Sequence, residues 1–136
     1  MKNKGFTLIE LLAVIVILAI IALIATPIIL GIINDARKES RNRSQEAAVH
    51  AVETAYLLTV MESEKNGTTV TASTIMAKVN LDNGDVSGAT VTTTDGVSCT
   101  LSGDASGGFT LNCTDTKDSS NTYTAVELEG NHLATS

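Results

Sequence analysis

The chain has 136 residues, with 15 acidic against 9 basic side chains and a formal net charge of -6. Beyond Ser63 nine acids face three bases, a balance that works against binding nucleic acid through phosphate contacts. Two Phe, two Tyr and no Trp leave no stacking platform for bases or sugars.

The first element is a short basic leader, Met1 to Gly5 (MKNKG), followed by the apolar run Phe6 to Ile33. As a helix this run would reach roughly 42 Å against a hydrocarbon core of about 30 Å, so it can span a membrane. It is too long for the apolar core of a secretory signal, and no small-residue cleavage site follows it. Lys2 and Lys4 stand before it, but Arg37, Lys38, Arg41 and Arg43 stand just after it, so flanking charge alone leaves its orientation open. Glu10 is the anomaly. A carboxylate at that depth costs on the order of a few kcal/mol unless it finds a partner, which marks it as a functional candidate.

The string Lys4-Gly5-Phe6-Thr7-Leu8-Ile9-Glu10, with Leu11-Leu12 and a long apolar run containing Pro27, resembles the prepilin signature of type IV pilins and pseudopilins. The resemblance covers Met1 to about Lys38. It implies cleavage between Gly5 and Phe6 by a membrane prepilin peptidase, N-methylation of the new Phe6 amine, and retention of the apolar helix. It also implies extraction of the subunit into a helical filament by an inner-membrane assembly platform driven by a cytoplasmic ATPase.

Elementary chemistry fits these implied roles. Gly5 lacks a side chain, so the scissile bond can enter a narrow site in extended form. Glu10 in the first turns is favoured by the helix macrodipole, and after cleavage it could meet the Phe6 ammonium of a neighbouring copy and set register. The alternative is a Glu10 that merely reaches the headgroups. Pro27 removes an amide donor, and Gly31 follows one turn later, so a kink is expected there, with local melting in an assembled state.

Asn34 to Glu64 contains no proline or glycine and continues the helix. Its first half is polar on all sides. The basic residues there read either as a solvated face or as partners for acids on neighbouring heads or for anionic lipid. The second half carries the stripe Val49, Val52, Tyr56 and Val60, with Ala48 and Ala55, which needs cover. Asn66-Gly67 stops the helix.

From Thr68 on, fifteen threonines favour a half-exposed sheet. The pattern predicts a short helix near Ala72 to Val79 and a turn at Asp82 to Asp85. Strands are expected over Ala89 to Thr94, possible partner of Val97 to Leu101, then Phe109 to Cys113 and Tyr123 to Leu128, with Ser102 to Gly108 as a hairpin loop. If this part lies outside the membrane, Cys99 and Cys113 read as one disulfide; two buried free thiols are the alternative, and a zinc site lacks further ligands at suitable spacing. Placing Cys99 opposite Cys113 puts Leu101 opposite Leu111 on the face that would cover the helix stripe.

The expected fold class is therefore α+β: a long N-terminal helix, half transmembrane and half amphipathic, packed on a small antiparallel sheet with one disulfide. The expected divisions are a leader at 1–5, a membrane and filament-core helix at 6–33, an amphipathic half at 34–66 and a sheet head at 67–136. No catalytic constellation, cofactor site or metal site is expected; Asp82 to Asp85 lacks the spacing of a calcium loop. The expected function is a structural pilus subunit, held in the membrane with an extracytoplasmic head before assembly and extracellular afterwards. Its partners would be its own copies, the peptidase and the assembly platform. The alternatives are a minor pilin or pseudopilin of a secretion or DNA-uptake system, and an unprocessed single-pass anchored binding protein.

Overall fold

The computed structural model describes residues 4–128, so Met1 to Asn3 of the leader and residues 129–136 of the head lie outside the described residues. One helix, α1 (Leu8–Asn66), opens the fold, and the chain divides between Arg37 and Lys38 into two compact units. In the first unit α1 is apolar on all sides, and an 18-residue window has a mean hydropathy of 3.2 with none of it buried. A helix hydrophobic all round needs lipid or other helices around it. It is long and apolar enough to cross a membrane.

The second unit holds the rest of α1 and the sheet. Here α1 buries Ala48, Val49, Val52, Ala55, Tyr56 and Thr59, spaced three and four apart on one face. Gly67, with φ 69, ends the helix in the left-handed region, its N–H donating to Ser63 O at 2.7 Å. A single-turn helix, α2 (Ala72–Met76), follows, capped reciprocally by Thr71 and Thr74.

Among the described residues five strands then form an antiparallel sheet in sequence order: β1 (Gly84–Ser87), β2 (Thr90–Thr93), β3 (Val97–Asp104), β4 (Gly108–Asp115) and β5 (Val126–Leu128). In the β3–β4 register Cys99 faces Cys113 and Leu101 faces Leu111, and the two cysteines are bonded. The inner face supplies Val91, Val97, Cys99, Leu101, Phe109, Leu111, Cys113 and Leu128 to the core, which α1 and the α2 residues Ile75 and Met76 complete. Tyr56 and Phe109 meet edge to face, 5.9 Å between ring centroids. Each fully buried Leu or Ile in this core contributes about 1.5–3 kcal/mol.

The outer face explains the threonine content. The strand registers align Asp85, Thr92, Ser98 and Thr114 in one rank across four strands, and Ser87, Thr90, Thr100 and Asn112 in the next. Thr90 Oγ1 and Thr100 Oγ1 hydrogen-bond at 3.0 Å. Such cross-strand hydroxyl pairs suit a solvent-facing sheet without adding apolar surface.

Several expectations change. The fold has a strand the sequence reading omits, β1, which begins inside the expected turn at Asp82 to Asp85. The β3–β4 loop is shorter than Ser102 to Gly108, because both strands extend into it. Asp104 Oδ1 closes the remaining turn by accepting from the Ser106 and Gly107 amides at 2.9 and 2.8 Å. Gly103, with φ 119, has no room for a Cβ, which would lie 2.2 Å from Gly108 O. α2 stops at Met76, and the chain runs on to Val79 in i→i+3 turns instead of helix. β5 starts at Val126, three residues later than expected, with Thr122 joined to Thr114 by an isolated bridge.

Candidate functional site

At the N-terminal end residues 4–7 are not helical, and α1 begins at Leu8. The Gly5–Phe6 peptide therefore lies in exposed chain ahead of the helix, with Phe6 92% exposed and nothing within 4 Å of where a Gly5 Cβ would stand. A bond in this position is open to a protease that reads extended substrate.

Thr7 and Glu10 cap the helix that follows. The Thr7 amide donates to Glu10 Oε2 at 3.0 Å, and the Glu10 amide donates to Thr7 Oγ1 at 3.4 Å. This is the reciprocal capping box, which satisfies two backbone donors that the helix end leaves without partners. The carboxylate thus has a partner inside its own chain, which lowers the cost of carrying it into an apolar setting. The pattern Thr-x-x-Glu before an apolar run was its signal in the sequence.

Pro27 and Gly31 both lie inside α1, which runs through them without interruption. Pro27 offers no amide to the carbonyl four residues before it. Thr26, the residue before it, donates its Oγ1–H to the Ala22 carbonyl one turn earlier at 2.6 Å, a back-bond of the kind that bends helices slightly. No contact within 4 Å limits the Gly31 Cα position on its side-chain side.

The basic residues after the apolar run divide into different roles. Arg41, expected either on a solvated helix face or as a partner for acids on neighbouring heads or for anionic lipid, instead pairs within its own chain: Arg41 Nε donates to Asp115 Oδ2 at 2.6 Å, and Nη2 lies 3.6 Å from Asp118 Oδ2. Asn121 Nδ2 reaches Asp115 Oδ2, Asn42 Oδ1 and Tyr123 Oη, all within 3.1 Å. Burial pushes the Asp115 carboxyl up, but hydrogen bonds from Asn121, Arg41 and the Lys117 and Asp118 amides outweigh it and hold the group at about 2. Nearby, Ser44 Oγ donates to Asp95 Oδ2 at 2.7 Å. The polar cluster ties α1 to the end of β4 and the residues just after it. Arg43 keeps an exposed i,i+4 pair with Glu39 at 3.3 Å.

Cys99 and Cys113, the one covalent site foreseen in the sheet, are joined on its inner face and nearly inaccessible. Their bond staples β3 to β4 under the α1 stripe. Among the described residues no group of three or more His, Cys, Asp or Glu converges as a metal site.

A family model described as the prokaryotic N-terminal methylation motif matches residues 1–26. No curated protein and no solved structure matches the chain. The matched stretch contains Gly5, Phe6, Thr7 and Glu10, the residues that form the exposed bond and the helix cap.

Proposed function

We infer that this chain is a type IV pilin-like prepilin: the prokaryotic N-terminal methylation motif at residues 1–26 leads into a long helix packed on a disulfide-closed antiparallel sheet, the architecture expected of a type IV pilin. It serves as the structural subunit of a type IV pilus. The observation that carries this reading is the placement of Gly5–Phe6 in exposed, non-helical chain inside the matched motif, directly before the capped helix.

The subunit is inserted with its head outside and its apolar helix in the membrane. Prepilin peptidase cleaves after Gly5, and the new Phe6 amine is methylated. The assembly platform then withdraws the helix from lipid, and the cost is offset by burying it against the same segment of other copies. Glu10 leaves its intrachain cap and pairs with the Phe6 ammonium of a neighbour, fixing the axial register. Pro27 and Gly31 mark the stretch that yields when the helices pack.

Shearing of cells that express the chain tests this. Filaments in the sheared fraction with the processed chain as their main component support a pilus subunit. Processed chain that stays in the membrane, with filaments built from other proteins, would overturn it and favour a pseudopilin.

A further inference from the structure

The chain contains two Asn-Gly pairs, Asn66–Gly67 and Asn83–Gly84. In such a pair the glycine backbone nitrogen can attack the side-chain amide carbon of the asparagine, because no Cβ shields it. The fold treats the two pairs differently. Gly67 N–H is bound to Ser63 O at 2.7 Å as part of the α1 terminus. Gly84 instead opens β1, at one edge of the sheet.

The ladder phase decides where its amide points. Thr94 N–H donates to Asn83 O at 3.0 Å, which makes Gly84 and Thr93 a non-hydrogen-bonded pair of the antiparallel ladder. The Gly84 N–H is therefore directed off the edge of the sheet, away from β2. Asn83 is exposed beside it.

We propose that Asn83 is a site of self-catalysed deamidation and that the same chemistry at Asn66 is suppressed by the fold. The Gly84 nitrogen loses its proton to solvent base and bonds to Asn83 Cγ. The Cγ–Nδ2 bond breaks, ammonia leaves with a proton from solvent, and a five-membered succinimide remains. Water opens the ring at either carbonyl, giving aspartate or isoaspartate at position 83. One water enters and one ammonia departs, with no oxidant, cofactor or enzyme.

The position gives the change a consequence. Asn83 lines a cleft of about 390 Å³ with Asn80, Asp82 and the small side chains of Ala47 and Ala51 on α1. Conversion places a second carboxylate beside Asp82. The isoaspartate branch also adds a backbone carbon just before β1, which is held to β2 by only four paired positions. The surface charge and one edge of the head thus change as the molecule ages.

The test incubates the full chain in detergent at neutral and mildly alkaline pH. Cleavage after Lys65 and Lys78 puts Asn66 and Asn83 on separate peptides for mass spectrometry and isoaspartate methyltransferase labelling. In the folded chain Asn83 should convert at least about fivefold faster than Asn66, because Gly67 must first give up a hydrogen bond. The rate should rise with pH, the difference should collapse in denaturant, and Asn83→Gln should abolish the signal from the Asn83 peptide. Conversion of Asn66 at an equal or greater rate in the folded chain, no conversion at Asn83, or a preference unchanged by denaturant would each overturn the proposal.

Discussion

Arg41 Nε lies 2.6 Å from Asp115 Oδ2 across 74 residues of sequence, and the Asp115 side chain is fully inaccessible. An exposed ion pair contributes about 0–1 kcal/mol, but removing one member of a buried, hydrogen-bonded pair leaves an uncompensated charge and is far more damaging. The pair therefore works as the joint between α1 and the end of β4, with Asn42, Asn121 and Tyr123 closing it.

Acid should open this joint. The Asp115 carboxyl sits at about 2 in the folded chain against an ordinary value of 3.8. A lowered folded value means stability that is fully present above the ordinary value and lost as pH falls through the folded one. Thermal melts of the full chain in detergent should show Tm falling between about pH 4 and pH 2. Asp115→Asn should lower Tm at neutral pH and flatten that acid segment; an acid profile identical to the unaltered chain would show that another group governs it.

Removing the disulfide should cost about 3 kcal/mol, as expected for closing a loop of this size. Urea unfolding of the Cys99→Ala/Cys113→Ala double variant reads this as a lower midpoint. Because Cys99 and Cys113 are 0% and 6% exposed, reductant should leave the folded chain bonded and act only as the head unfolds. Rapid reduction under native conditions would contradict that burial.

Glu10 offers a way to separate two roles. Glu10→Gln keeps an oxygen that can accept from the Thr7 amide, while Glu10→Ala removes both the cap and the charge. If charge pairing between copies sets register, both variants should be processed and both should fail to enter filaments. Normal incorporation of the Gln variant would assign Glu10 to helix capping alone.

Much of the head was legible because side chains alternate along a strand. Val97, Cys99 and Leu101, and Phe109, Leu111 and Cys113, mark their inner faces and so set the register of β3 on β4. β1 escaped the same reading: it is four residues long, contains one large apolar side chain, Val86, and starts with Gly84 next to Asn83 in a stretch of turn formers. The role of Arg41 was hidden for a different reason. Its partner is remote in sequence, and among Arg37, Lys38 and Arg43 it looks like one more charge of a solvated run. Thr7 and Glu10 have the spacing of a capping box, but a carboxylate inside an apolar run fits a partner on another chain equally well.

Processing at Gly5–Phe6 is tested most directly by the N-terminal mass of the mature protein at the cell surface. A chain that begins at N-methylated Phe6, with Met1 to Gly5 gone, is the expected result. An intact Met1 on the surface-exposed protein would contradict it and leave a membrane-anchored chain whose leader is never removed.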